Sequence, residues 1–323
     1  MDFKTGIGKP GLALAAIIAL AMCVLSLLFH PVEIAHIPYG LCLPSPDSWE
    51  INPFRSWAIN TVLIGIIACL LLLVNRSYNF IRTTEPALPA LFLVFVAASP
   101  WCNQSVNTSV LLCLANVVCL GIIFNSYDTR NATQEMFIMG VVAGIGSMFQ
   151  YAFLPMAFVY FLWSLFMKVM RIKETLAFVA GLLCPYWISL GAGWLSFSDF
   201  RFPSITPLFT VAGDYADFLL LLGQIGIAAA LGFIITLFNS LRLYAGNSKV
   251  NAMNLCTTVL GIAAIVCIVV DFDNLQAYTA TLFMATAVQL ANICAIWNPK
   301  MPWLVTVVPS LLFVLLFAAS LVL

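Results

Sequence analysis

Residues 57–74 read WAINTVLIGIIACLLLLV, an apolar stretch without a single charged residue. A helix of this length rises about 27 Å, close to the thickness of the hydrocarbon core of a bilayer. Arg55 and Arg76 lie just outside the stretch, where the hydrocarbon would end. The stretch therefore predicts a membrane-spanning helix, because lipid offers backbone N–H and C=O groups no partner outside a helix or a closed barrel.

Ten further stretches follow the same pattern, and none has a charged residue in its middle. Of the 323 residues, 63% are hydrophobic and 8% are charged, whereas soluble proteins are about 25% charged. No connection exceeds 27 residues, so we expect one membrane domain over residues 1–323. The prediction is an all-α polytopic protein with about eleven transmembrane helices, at 11–29, 57–74, 86–101, 105–124, 135–150, 152–169, 174–195, 217–239, 252–270, 276–296 and 303–323.

The basic residues predict which way the chain faces. With eleven spans and a cytoplasmic N-terminus, eleven basic residues lie inside and two outside, the two being Arg55 and Arg201. The third stretch is short and proline-rich, and it could instead be re-entrant. That arrangement would place five basic residues inside and eight outside. The positive-inside rule favours eleven crossings and a C-terminus on the outer side.

The first outer connection, residues 30–56, is the leading candidate for a functional segment, since loops held by a rigid scaffold commonly carry function. Asp47 and Glu50 are candidate catalytic bases, because a carboxylate can accept a proton from a sugar hydroxyl. Trp49 and Arg55, together with Arg201 from a later outer connection, are candidate substrate-binding residues, since arginine binds phosphate well. The alternative is structural: Asp47 or Ser48 caps a short surface helix, and Trp49 and Trp57 anchor it at the interface.

Metal binding has weaker support in this sequence. His30, Glu33 and His36 recur every three residues, and a polyproline II segment would align them as zinc-type ligands. No fourth protein ligand is evident, and no CxxC motif occurs. Cys42 and Cys102 both fall outside, where a disulfide would be possible in an oxidising compartment. No cofactor is indicated.

Small and amide residues recur inside the spans, and helix packing explains them best. Gly140 and Gly144 form a GxxxG pair, followed by Gly146, and a later span carries further glycines at 223, 226 and 232. Such residues let helices approach closely in lipid. We interpret the intramembrane amides as interhelical hydrogen-bonding groups; they are Asn116, Gln224, Gln289 and Asn292, with Gln150 at a turn.

Two segments resemble an uncharacterised polytopic family of Bacteroidota, a domain of unknown function. The first is Asn75-Arg76-Ser77-Tyr78-Asn79-Phe80-Ile81-Arg82 with Leu88-Pro89-Ala90-Leu91; the second runs from Leu154–Phe166 to Gly181-Leu182-Leu183-Cys184-Pro185-Tyr186. The resemblance covers a tenth to a quarter of the chain and carries no known activity. It implies a bacterial inner membrane, with the outer side being the periplasm.

These features favour a protein that acts at its periplasmic face on a lipid-linked, polyprenyl-glycan-like substrate, like the polyprenyl-linked glycosyltransferases and polymerases. A transporter or flippase is the main alternative, because Leu88-Pro89 and Leu154-Pro155 begin similar motifs in oppositely directed spans, as in inverted repeats. A non-catalytic subunit of an envelope complex is the third. Membrane lipid is the expected partner, a protein partner is not identified, and no basic block points to nucleic acid.

Overall fold

The structure is a computed structural model that describes residues 9–29, 40–81, 86–203, 205, 219–243, 248–296 and 302–321. All regular structure in this part of the chain is helical. The helices are α1 Lys9–Phe29, α2 Pro53–Tyr78, α3 Ala87–Ala97, α4 Pro100–Asn103, α5 Thr108–Asn125, α6 Thr133–Phe149, α7 Phe153–Phe166, α8 Ile172–Gly191, α9 Leu219–Leu243, α10 Ser248–Val270, α11 Leu275–Ile296 and α12 Pro302–Ser320.

Seven helices in the described ranges are long and apolar enough to cross a membrane, namely α1, α2, α5, α8, α9, α10 and α11. The shorter apolar helices α3, α6, α7 and α12 coincide with the other four predicted stretches. The prediction of a helical, multi-pass membrane protein is therefore confirmed. The short lengths have a local cause at α6 and α7, where Gln150 is extended and divides one long apolar run into a tight hairpin, as the sequence predicts.

The third predicted span differs from a simple helix. The α3 helix ends at Ala97, Ser99 takes an extended conformation (φ −106°, ψ 106°), and α4 begins at Pro100. Proline has no N–H to continue the hydrogen-bond ladder and disfavours a helical conformation in the residue before it. We call residues 97–103 the α3–α4 break, and all seven are buried.

The connections gather into two groups through hydrogen bonds. The backbone N–H groups of Cys42 and Leu43 donate to Met148 O, and Tyr151 Oη donates to Asp271. A second group joins Asp128 to Met167, Arg171 to Arg130 and Tyr127 to Ser248. We call the first the Trp49 end, comprising 40–52, 98–108, 147–153, 196–201 and 271–275, and the second the Arg130 end, comprising 75–81, 121–133, 167–173 and 248–254.

Helix α11 forms the centre of the bundle and packs against α3, α5, α9, α10 and α12. Nearly all of its residues are buried, which explains why a span surrounded by protein tolerates several threonines and amides. Asn116 Nδ2 donates to Thr281 Oγ1 at 3.0 Å, and Asn292 Nδ2 donates to Asn254 Oδ1 at 2.8 Å. The interpretation of the intramembrane amides as interhelical hydrogen-bonding groups is confirmed.

The GxxxG pair marks the closest helix contact in the described chain, between α6 and α8. A Cβ atom at Gly140 would overlap Phe178 O, and one at Gly144 would overlap Leu182 O. Gly181 on α8 meets the α6 backbone in the same way. In α9 the packing interpretation holds only for Gly232, which lies against Thr286, because a Cβ atom at 223 or 226 would meet no described atom within 4 Å.

Candidate functional site

The described part of the first connection lies flat across the Trp49 end. Its Leu41 N–H donates to Ser147 O at 3.4 Å, and the N–H groups of Cys42 and Leu43 both donate to Met148 O. Gly40 packs so closely on the backbone of Phe149 and Gln150 that a Cβ atom there would overlap it. The segment is therefore fixed to the α6–α7 turn by its backbone, with its side chains free to face outward or toward α5.

Both carboxylate oxygens of Asp47 accept hydrogen bonds, from Thr108 at the start of α5 and from Ser45. Its Oδ1 accepts from the Thr108 N–H at 3.0 Å, and its Oδ2 accepts from Thr108 Oγ1 at 2.5 Å and from Ser45 Oγ at 2.9 Å. A carboxylate at a helix N-terminus satisfies a backbone donor that the helix leaves free and interacts favourably with the helix dipole. Asp47 thus satisfies a free N–H in the first turn of α5, beside the N-cap Asn107, whose Oδ1 accepts from the Val110 N–H at 3.0 Å. Its partner is this long apolar helix and not the short surface helix expected from the sequence.

The other residues predicted on this segment face outward. Glu50 and Arg55 are exposed, and Trp49 is 41% exposed with its ring edge-on to Phe149 at 6.0 Å between centroids. Arg55 lies in the first turn of α2, between Phe54 and Trp57. The segment therefore presents one free carboxylate and one cation beside exposed aromatic rings.

Arg201 joins the same end from the α8–α9 connection, where its N–H donates to Leu41 O at 2.9 Å. Hydrogen bonds from the backbone N–H and the hydroxyl of Ser196 lower the pKa of Asp199, and the nearby Arg201 cation lowers it further. Arg201 is exposed. The structure thus brings four of the five predicted site residues, Asp47, Trp49, Glu50 and Arg201, onto one segment or directly against it, with Arg55 in the next helix.

Two further predictions concern metal and sulfur. The candidate ligands His30, Glu33 and His36 lie outside the described residues. Elsewhere in the described ranges no group of three or more potential metal ligands occurs. Cys42 and Cys102 are both free thiols, the first half-buried and the second buried.

Asp271 is a buried acid that sequence reasoning did not single out. It lies between α10 and α11 and is 5% exposed; Tyr151 Oη donates to its Oδ1 at 3.1 Å. Its Oδ2 has no hydrogen-bond partner in the described part of the chain. Burial raises the pKa of the Asp271 carboxyl, against the opposing effect of the tyrosine hydrogen bond. Sequence shows an acid next to a span end, but only the packing of the α6–α7 turn over it shows that it is buried.

A groove between α1, α2 and α3 opens along the outside of the bundle. Its cavity is about 580 Å³ and extends on α2 from Thr61 to Leu73, about 18 Å of helix. The lining is almost wholly apolar and includes several small residues, Ala16, Ala19, Gly65, Ala68 and Ala97. At the Trp49 end, just beyond the groove, Trp57 Nε1 donates to Cys23 O at 3.1 Å. We call this feature the α1–α3 groove.

The groove's two long walls, α1 and α2, are the helices that the first connection joins. On α2 the groove begins at Thr61, less than two helical turns from Arg55. In comparisons with known proteins, the chain matches no protein-family model, no curated protein and no solved structure.

Proposed function

We propose that this chain is a bacterial inner-membrane protein with eleven crossings, a cytoplasmic N-terminus and a periplasmic C-terminus. The alternation of the connections between the two groups supports ten crossings from α1 to α11, with α3 and α4 counted together, and α12 would be the eleventh. The Arg130 end carries the basic residues of the predicted inside, including Arg171 and Lys168. The Trp49 end is then the periplasmic face.

We further propose that the protein holds the hydrocarbon chain of a lipid-linked, polyprenyl-glycan-like substrate in the α1–α3 groove and acts on the head group at the Trp49 end. The groove is the observation that carries this proposal. Pockets for small ligands typically measure about 300–1,000 Å³, and the groove measures about 580 Å³. The apolar lining and the length of about 18 Å along α2 suit an extended hydrocarbon chain.

The chemistry at the head group follows from how the two acids of the first connection are engaged. Glu50 is exposed, while Asp47 already accepts three hydrogen bonds. Glu50 is therefore the better general base: its carboxylate takes the proton of an acceptor hydroxyl, the oxygen bonds to the anomeric carbon, and the bond to the polyprenyl-linked phosphate breaks. Arg55 and Arg201 neutralise the charge on the departing phosphate.

Photo-crosslinking tests the groove directly. The full chain in lipid nanodiscs would be labelled with a diazirine-bearing polyprenyl phosphate and, in parallel, with a diazirine phospholipid of ordinary acyl chains. We expect polyprenyl label on the groove residues of α1 and α2. Gly65→Leu should lower that label several-fold, because a side chain there enters the cavity.

Gly226→Leu is the matched control, since this mid-helix glycine also faces open space but lies in α9. Equal polyprenyl labelling in both variants would contradict the proposal. Preferential labelling by the phospholipid would make the groove a site for bulk lipid. Transfer of a labelled sugar, and its loss in Glu50→Gln, tests the enzymatic part separately.

A transporter or flippase is the second candidate, favoured by the α3–α4 break. Helices interrupted within a bundle form the solute and ion sites of many secondary transporters. Substrate-dependent flux in proteoliposomes, without covalent change of the substrate, would support it. A protein that crosslinks in the groove only to another polypeptide would instead fit the role of a complex subunit.

A further inference from the structure

The α3–α4 break exposes backbone carbonyl groups in a place where water is scarce. Residues 97–103 are all buried, and the interruption at Ser99 leaves carbonyl groups that no helical N–H reaches. Buried backbone carbonyl groups are nearly always paired with a donor from the protein or from water. The carbonyl oxygens of the α3–α4 break therefore need donors from elsewhere in the protein.

Three side-chain amides, from α4, α9 and α2, donate hydrogen bonds to these carbonyl oxygens. Asn103 Nδ2 donates to Ala97 O at 2.6 Å and Gln224 Nε2, from α9, donates to Ala98 O at 2.8 Å. Asn60 Nδ2, from α2, donates to Cys102 O at 2.8 Å. These bonds fix the orientation of each amide, because turning it over would place its oxygen against a carbonyl oxygen.

The amide orientation leaves a set of buried acceptors. Asn60 Oδ1, Asn103 Oδ1 and Gln224 Oε1 have no hydrogen-bond partner among the described residues, and neither has Ser99 Oγ in the break itself. All four residues are 0% exposed. Buried acceptors without a donor are strongly disfavoured. Three of the four can only accept, so the missing partner is a donor or a cation.

We propose that the α3–α4 break binds a monovalent cation, with Na⁺ the expected ion. Amide and hydroxyl oxygens are ligands that hard cations prefer, and interrupted helices supply such oxygens in transporters. The four ligating side chains are neutral. Divalent cations are usually held by carboxylates, so a neutral set of oxygens favours an ion of single charge.

The site is independent of the α1–α3 groove proposal, since neither the amide oxygens nor the break needs a lipid to be present. If the protein is a transporter, Na⁺ bound at this site would be its coupling ion. Asn60 and Gln224 link α2 and α9 to the break, so an ion bound by their oxygens would couple these helices to α3.

Ion-dependent stability tests the site. The purified full chain would be melted in NaCl and in choline chloride at equal ionic strength, and binding of ²²Na⁺ would be measured directly. We expect a saturable rise in Tm with Na⁺ and binding of about one ion per chain. Ligand that binds only the folded state raises stability in this concentration-dependent way.

Gln224→Met should abolish the Na⁺ effect on Tm and lower ²²Na⁺ affinity at least tenfold, because it removes an oxygen, together with the donor to Ala98 O, while keeping the shape of the side chain. Gln289→Met is the matched control: Gln289 is also a buried amide, but its Oε1 already accepts from Asn239 Nδ2 at 2.9 Å. The control should keep the Na⁺ effect in full.

Asn60→Leu keeps the proposal testable if Gln224→Met fails to fold. Asn107 Nδ2 also donates to Cys102 O, at 3.1 Å, so this carbonyl keeps a donor in the variant. Loss of the Asn60 oxygen should lower ²²Na⁺ affinity at least tenfold and weaken the Na⁺ effect on Tm. Equal Tm in Na⁺ and choline, with no ²²Na⁺ bound, would overturn the proposal and leave water as the partner of these oxygens.

Discussion

At the scale of single residues, Asp47 shows how one side chain can fit two interpretations of the same sequence. The motif Asp47-Ser48-Trp49-Glu50 offers two acids in a polar outer segment, and sequence alone treats them alike. The structure separates them, because Asp47 accepts from the backbone of α5 whereas Glu50 faces outward. The partner, Thr108, is 61 residues away, so no local pattern near Asp47 could predict which acid is engaged.

Substitution of Asp47 should therefore act on stability. Asp47→Ala leaves the Thr108 N–H without its acceptor and should lower the free energy of unfolding by about 1–2 kcal/mol, the usual cost of losing an N-terminal cap. Asp47→Asn retains an accepting oxygen and should cost less. Thermal melting in detergent measures both. Glu50→Gln, at an exposed position, should stay within about 0.5 kcal/mol of the native chain. A stable Asp47→Ala protein would contradict the capping role.

At the scale of helices, apolarity predicts where spans lie but not how they are interrupted or paired. The GxxxG motif correctly predicts close packing, yet the partner, α8, could be identified only in the structure, since its own contribution is the single Gly181. The break after α3 is similar: Pro100 signals a boundary, but the donors that stabilise it, Asn60 and Gln224, come from distant helices. The local sequence predicts where the helix is interrupted. The side chains that donate hydrogen bonds to the interrupted backbone come from distant helices.

The α6–α8 contact should be intolerant of any side chain at Gly140. Gly140→Ala places a Cβ atom against Phe178 O and should destabilise the chain by about 1–3 kcal/mol, the usual cost of overpacking. Gly223→Ala, in open space on α9, should be neutral or slightly stabilising, because alanine favours helix more than glycine does. Comparison of the two Tm values checks this, and similar losses in both would show that helix propensity, not packing, governs the site.

At the scale of the whole molecule, the alternation of connections between the two ends can be tested by labelling. In a variant lacking the native cysteines, Glu50→Cys and Lys168→Cys each place one thiol at an exposed position, at the Trp49 end and the Arg130 end respectively. A membrane-impermeant maleimide added to intact spheroplasts should label the first, and the second only after permeabilisation. Labelling of both from one side would contradict the arrangement of crossings.

Composition and charge predict much of this architecture, because every helix that crosses lipid must be long, apolar and hydrogen-bonded within itself. The arrangement of helices around α11 does not follow from them, since α11 has no longer or more apolar stretch than its neighbours. Its amides and threonines are the one available signal, and several have partners on other helices, such as Thr258 for Gln289 and Asn254 for Asn292. The groove and the buried Asp271 likewise depend on packing between segments far apart in sequence.

The central position of α11 has a consequence for biogenesis. Its mean hydropathy, 1.2, is the lowest of the seven long helices, against 2.9 for α1. A segment with several polar side chains leaves the translocon for lipid reluctantly, and those groups find partners only once α9 and α10 are already in place. Insertion of the late part of the chain should thus be concerted, with α11 leaving the translocon alongside the helices made just before it.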